Sequence, residues 1–263
     1  MERESKLSIL KEIMKNEQER DLYFCADIHG SFREITWIIT QRYKLKDANI
    51  IFLGDVGLGF SKPGYYNQEF ERINTRLEKN NITYYFIRGN HDNLEYWNGG
   101  LINDFPRIKF LQDHEVVELS GKTIYPIGGA TSVDYKWRIN YNGLMERVGS
   151  SKRVWWETED IIKKLIKDLP GRVDIIASHT APLCFEPIIT RHEEEAEDVY
   201  LRDLENRKYL DQVFRGVRCK YWFFGHFHTS ITSGLEDTIY KCLDINELYF
   251  CLLYTSPSPR DRG

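Results

Sequence analysis

No apolar run in this chain approaches the ~20 residues that a helix needs to cross a bilayer. The opening residues, Met1-Glu-Arg-Glu-Ser, carry charge where a secretion signal carries an apolar segment. The expectation is therefore a cytoplasmic protein with no membrane partner. Paired cysteines are lacking too. The five, Cys25, Cys184, Cys219, Cys242 and Cys251, are odd in number and hold no C-x-x-C spacing. That excludes a disulfide framework or a zinc knuckle and fits reduced thiols. Basic charge is not in excess either. A net charge of −4 without lysine or arginine clusters gives no footprint for extended nucleic acid. A 41% hydrophobic share over 263 residues suits a folded chain with a sizeable core.

The residues that are present read as strands and helices in alternation. Leu7, Leu10, Ile13 and Met14 fall at helical spacing, so residues 1–20 are expected to form an amphipathic helix leading into one domain that spans 1–250. Residues 82–87 are a run of β-branched and aromatic side chains, and they and the short, mostly apolar runs 22–26 and 48–53 predict buried strands. Helices are expected between them, the first capped by Ser31 and carrying an apolar stripe of Ile35, Ile38 and Ile39, the second near 66–79. Further short strands are predicted at 107–111, 115–119, 122–127, 173–177, 220–224, 239–243 and 248–253. Between them the pattern gives a polar aromatic loop after Ser132, a helix at 159–169 and another over Leu201, Leu204, Leu210, Val213 and Phe214. The acidic stretch Glu193 to Asp198 reads as a solvated face or lid edge. Residues 251–263, ending in Pro-Ser-Pro-Arg-Asp-Arg-Gly, read as a non-native tail that resembles translated adapter sequence.

Polar residues collect where the strands end. Asp27 and His29 follow the first strand, two apart, so in an extended segment both address one point while Ile28 turns inward. Gly54-Asp55 follows the second, and Arg88-Gly89-Asn90-His91-Asp92 the third, with Gly89 permitting a sharp turn. His179 follows a fourth, and Gly225-His226-Phe227-His228 a fifth. Five of the seven histidines lie at such ends, where ligands gather in parallel α/β sheets. Carboxylate, imidazole and amide donors without thiolate suit manganese, iron or zinc. Gly128-Gly129-Ala130 marks a place where backbone can approach a ligand.

These five blocks, in this order over residues 22–228, resemble the calcineurin-like metallophosphoesterase superfamily. Gly128-Gly129-Ala130 with Ser132, Asp134, Arg138 and Trp155-Trp156-x-x-Glu159 is similar to a compact bacterial and phage-type branch of it. The resemblance implies an α/β fold, a four-layer α/β/β/α sandwich of two mixed sheets flanked by helices. It implies two divalent metal ions, Mn²⁺ before iron or zinc. Asp27, His29 and His228 would hold one, Asn90, His179 and His226 the other, with Asp55 bridging. Two such ions ~3.5–4 Å apart supply hydroxide near neutral pH and clamp the oxygens of an in-line displacement at phosphorus. The expected activity is hydrolysis of a phosphomonoester or phosphodiester, with His91 as general acid, Asp92 orienting its ring and Arg138 gripping the substrate phosphate. The substrate partner would be phosphorylated, a nucleotide among the candidates, because Trp155 and Trp156 could stack a base. Those tryptophans also suit a hydrophobic plug, and Arg138 a structural ion pair. The protein-phosphatase branch has a further Asp and Arg after its Gly-Asp, and Glu after Asn-His. Here Gly54-Asp55-Val56-Gly57-Leu58-Gly59 has neither, and Asp92 replaces the Glu, which weakens a phosphoprotein phosphatase reading. The residues also allow a nucleotide phosphohydrolase of the same superfamily or a metal-binding interaction scaffold.

Overall fold

The computed structural model describes residues 20–185 and 197–251. The expected leading helix, the acidic stretch up to Ala196 and the tail after Cys251 lie outside the described residues.

Two sheets form. The first has the strand order β11–β1–β2–β3–β4, built from β1 (Asp21–Cys25), β2 (Ala48–Leu53), β3 (Ile82–Ile87), β4 (Ile108–Phe110) and β11 (Leu248–Phe250). Strands β1 to β4 run parallel and β11 closes the edge antiparallel. The second follows β5–β6–β7–β8–β10–β9, from β5 (Val117–Leu119), β6 (Lys122–Ile127), β7 (Ile175–Ser178), β8 (Tyr221–Phe224), β9 (Ile231–Leu235) and β10 (Thr238–Cys242). Its four central strands are parallel and its two edges antiparallel. Parallel strands need cover on both faces, and that requirement produces the layers.

Three apolar layers match the alternation of side chains along the strands. Helices α1 (Phe32–Trp37) and α2 (Pro63–Lys79) pack Phe32, Ile35, Phe70 and Leu77 on the outer face of the first sheet. Helix α4 (Glu197–Gly216) packs Leu210 and Val213 on the outer face of the second. Between the sheets lie Phe24, Ile51, Leu53, Ile87, Ile175, Ala177 and Phe223. Phe24 stacks on Phe223 across this layer at 4.1 Å between ring centres. The arrangement is the expected four-layer α/β/β/α sandwich.

The pattern reading fails in one region. Residues 135–147, expected as loop, form α3 (Tyr135–Arg147), while 159–169 is helical only in a single 3₁₀ turn at Ile166–Asp168. Helix α3 buries only Asn142 and is held by polar anchors. Arg138 pairs with Asp134 one turn back, and the Asn142 amide donates to Trp155 O and accepts from Val154 N–H. At 159–169 the apolar spacing is genuine, but α4 satisfies the backbone instead. Ile161 N–H donates to Asn206 and Lys164 N–H to Tyr209, while His114 hydrogen-bonds to Ile162 O. Two smaller differences follow. Strand β9 was not expected, and Ser31 precedes α1 without a side-chain capping bond.

Phe223→Ala should cost ~3–5 kcal/mol of unfolding free energy, since it empties the layer that both sheets share. Urea titration measures it, and a loss below ~1 kcal/mol would contradict a common inter-sheet core.

Candidate metal centre

The carboxyl ends of β1, β2, β3, β7 and β8 meet along one rim, and their loops are tied together by backbone. His29 N–H donates to Asp55 O and Gly30 N–H to Val56 O, both at 2.9 Å. His226 N–H donates to the Asp27 carboxylate, 3.1 and 3.3 Å from its oxygens. These bonds hold Asp27, His29, Asp55, His226 and His228 at φ of 52°, 43°, 47°, 70° and 48°. Left-handed backbone costs a non-glycine residue on the order of 1–3 kcal/mol, so such a concentration marks a rim shaped for its side chains. Asp27 and His29 do converge with Ile28 buried between them, but through this left-handed turn and not through extended strand.

Two glycines make room for the carboxylates. A Cβ on Gly89 would stand 2.1 Å from Asp55 N and Oδ1, and one on Gly225 would stand 2.4 Å from Asp27 Oδ2. Gly89 does not adopt positive φ; the site requires its lack of a side chain, not a special turn.

The donor atoms group in overlapping threes. Asp27, His29 and His228 form one set, His29, Asp55 and His91 a second, and Asp27, Asp55 and His179 a third, with the atoms of each set within 4.8 Å of one another. Asn90 Oδ1 lies 2.8 Å and Asp55 Oδ1 3.2 Å from His179 Nε2. The His226 ring sits 5.0 Å from that of His179, and the His29 ring 5.6 Å from both His91 and His228. The strand-end residues therefore come together in one place.

Electrostatics explains what such a cluster lacks. Asp27 and Asp55 are 0% and 2% exposed, and their ion-pair partners among the described residues are histidines. Burial pushes Asp27 up to about 7, with His179 opposing and Asp55 adding to the rise. Asp55 stays well below the usual carboxylate range: burial works against that, but His179 and His91 outweigh it. Burial would lower His179, yet the Asp55 charge and hydrogen bond raise it to about 9. Both its ring nitrogens face acceptors, Leu53 O at 2.7 Å and Asn90 Oδ1, so a proton stands where several oxygens converge. Buried carboxylates aimed at imidazoles, with no lysine or arginine paired to them among the described residues, fit a divalent cation. The Leu53 bond is the kind of outer contact that orients a ligating imidazole.

The remaining predicted residues divide. Burial lowers both His29 and His91, and Arg138 lies close enough for its charge to add to that. Its Nε and Nη1 are engaged by Asp134 and by Val154 O at 2.6 and 3.0 Å. Asp92 does not orient the His91 ring. Its carboxylate accepts four backbone N–H bonds, from Val56, Gly57, Leu58 and Gly89, at 2.8–3.1 Å. It pins the loop that carries Asp55 to the loop that carries Asn90. Trp156 is 7% exposed and meets Phe60 edge-on at 5.2 Å, which makes it a plug. Gly128 and Gly129 admit Arg88 and the backbone of Glu159 and Asp160, not a ligand. Phe60, 6.4 Å from the His91 ring, was not expected at the site, because nothing in Gly59-Phe60-Ser61 sets it apart from an ordinary loop.

Residues 21–230 match the calcineurin-like phosphoesterase family. The chain belongs to that family. No curated protein matches it by sequence. Among solved structures it is similar to phosphopantetheinyl hydrolase from Mycobacterium tuberculosis, at 12% identity and TM-score 0.46, over 94% of this chain and 99% of that one. It is also similar to GAP50, the anchor in the inner membrane complex of Plasmodium, at 10% identity and TM-score 0.37, over 86% and 72% of the two chains. No helix among the described residues of this family member is long and apolar enough to cross a membrane.

Asp92→Asn should destabilise the fold by ~2–4 kcal/mol, because its NH₂ group would face two backbone N–H donors. Mn²⁺ affinity should fall with it, as the Asp55 loop loses its anchor. Unchanged urea stability would remove the pinning role.

Proposed function

We propose that this chain is a divalent-metal-dependent phosphoesterase acting on a phosphomonoester or phosphodiester. The observation that carries the reading is the convergence of Asp27, Asp55 and four strand-end histidines, His29, His91, His179 and His228, into donor sets that share their carboxylates. In this proposal Asp27, His29 and His228 would hold one ion and Asn90, His179 and His226 the other, with Asp55 shared between them. Mn²⁺ is the first choice for a set of oxygen and imidazole donors, and the domain is one unit spanning 1–250. When bound, the ions supply Lewis-acid activation of water and of the phosphoryl oxygens.

The chain's own residues supply the rest. His91 N–H donates to Asp55 Oδ1 at 2.8 Å, which fixes the backbone of the one rim histidine left outside the proposed ligand sets. Its imidazole delivers a proton to the leaving alkoxide. Phe60 lies on the same side, its ring 6.4 Å from that of His91, which favours an ester with an aromatic group in its leaving portion, a nucleotide included. Arg138 is fixed at two of its nitrogens and presents its remaining N–H groups to the phosphate. Where the protein-phosphatase branch carries its further Asp and Arg, this chain has Val56-Gly57-Leu58, with Val56 and Leu58 in the core. Arg138 from α3 takes over the phosphate-gripping task.

Hydrolysis of p-nitrophenyl phosphate and its bis ester, titrated with Mn²⁺, tests the reading. Asp55→Asn should lose metal binding and turnover together. His91→Ala should keep its metal while kcat falls by ~10²–10⁴. Equal metal loss in the two variants would overturn the assignment of His91. Arg138→Ala should raise KM, and unchanged kinetics would return that side chain to a purely structural pairing with Asp134.

A further inference from the structure

The motif residues Ser132 and Glu159 have no place in the chemistry above, yet they are more deeply buried than most of the rim. Ser132 is 2% exposed, Glu159 0% and Asn90 3%. Asn90 Nδ2 donates to Ser132 Oγ at 2.9 Å, and Ser132 Oγ donates to Glu159 Oε2 at 2.6 Å. Glu159 Oε1 accepts from Ser132 N–H at 3.3 Å and faces Arg202 Nη2, also at 3.3 Å. The Glu159 backbone is fixed from two directions, by Ala130 N–H at 3.0 Å and Arg88 Nη1 at 3.1 Å. That close approach is what Gly128-Gly129-Ala130 permits. The carboxylate therefore stands on a rigid support.

We infer that Ser132 and Glu159 form a relay that fixes which way round the Asn90 amide faces, and so sets the affinity of the ion site containing it. A primary amide can rotate by half a turn and exchange its oxygen for its NH₂ group, with little change in shape. Only one of the two orientations offers oxygen to a cation. The Ser132 hydroxyl has a single hydrogen, and the Glu159 carboxylate takes it. What the hydroxyl turns toward Asn90 is then a lone pair, which accepts from NH₂ and repels an amide oxygen. The carboxylate one side chain removed from Asn90 thus dictates that Asn90 Oδ1 points at His179. Burial pushes the Glu159 carboxyl up to about 7, with the Ser132 hydroxyl, Trp155 and Arg202 opposing the rise, so above that pH the hydroxyl faces an ionised acceptor. Ser132 and Glu159 are positioning residues, and their proposed effect rests on Asn90 being a metal ligand.

Calorimetric titration with Mn²⁺ of wild type, Ser132→Ala, Ser132→Thr and Glu159→Gln tests the relay without reference to turnover. Ser132→Ala should weaken one of two ion sites by ~10–100-fold, the usual effect of removing an outer-shell partner, and leave the other unchanged. Ser132→Thr keeps the hydroxyl and should restore the affinity. Glu159→Gln should weaken the same site, and its effect should vanish in the Ser132→Ala background, because the two act in series. Wild type binding two ions with Ser132→Ala unchanged, or weakened equally at both sites, would overturn the relay alone. If Ser132→Ala does not fold, full affinity in Glu159→Gln overturns it instead. Wild type binding no Mn²⁺ would overturn the metal reading and the relay with it.

Discussion

Two buried carboxylates from different strands, Asp27 and Asp55, lie at the same rim with histidines as their nearest titratable partners. Like charges brought this close in a water-poor place raise the free energy of the empty fold unless protons or a cation offset them. Burial raises Asp27 to about 7, and both ring nitrogens of His179 face oxygen acceptors. Much of the local structure follows from holding that arrangement: five left-handed non-glycine residues, two glycines against the carboxylates, and Asp92 spent on four backbone N–H groups. A fold gains nothing in stability from such a rim. Its local cost makes sense as preparation for a ligand of opposite charge.

The sandwich supplies the rigidity this requires. Each sheet buries both faces, so strand ends cannot shift without disturbing a packed layer on one side or the other. Asp27, Asp55 and Asn90 leave the first sheet, and His179, His226 and His228 leave the second. The centre therefore spans the seam where Phe24 meets Phe223. Neither sheet alone could assemble it.

Much of this was legible in the sequence because the signal was repeated. Each run such as 48–53 is mostly apolar and stops at a glycine or a polar residue, so strand ends and site residues announce one another. What escaped had another physical basis. Helix α3 carries no apolar face toward the core, and its anchors, Asp134 to Arg138 and Asn142 to the 154–155 backbone, are tertiary contacts without a period. Residues 159–169 have helical spacing, but Asn206 and Tyr209 from α4 capture their backbone. Asp92 sits beside a histidine in the chain, yet its carboxylate is engaged by the backbone N–H groups of Val56, Gly57, Leu58 and Gly89. Neighbourhood in sequence gives adjacency, not direction.

The most direct measurement is anomalous X-ray scattering from crystals of the protein grown with Mn²⁺. The account predicts two peaks at the rim, one enclosed by Asp27, His29 and His228, the other by Asn90, His179 and His226, with Asp55 touching both. A single peak away from Asp55, or none at the rim, would contradict it.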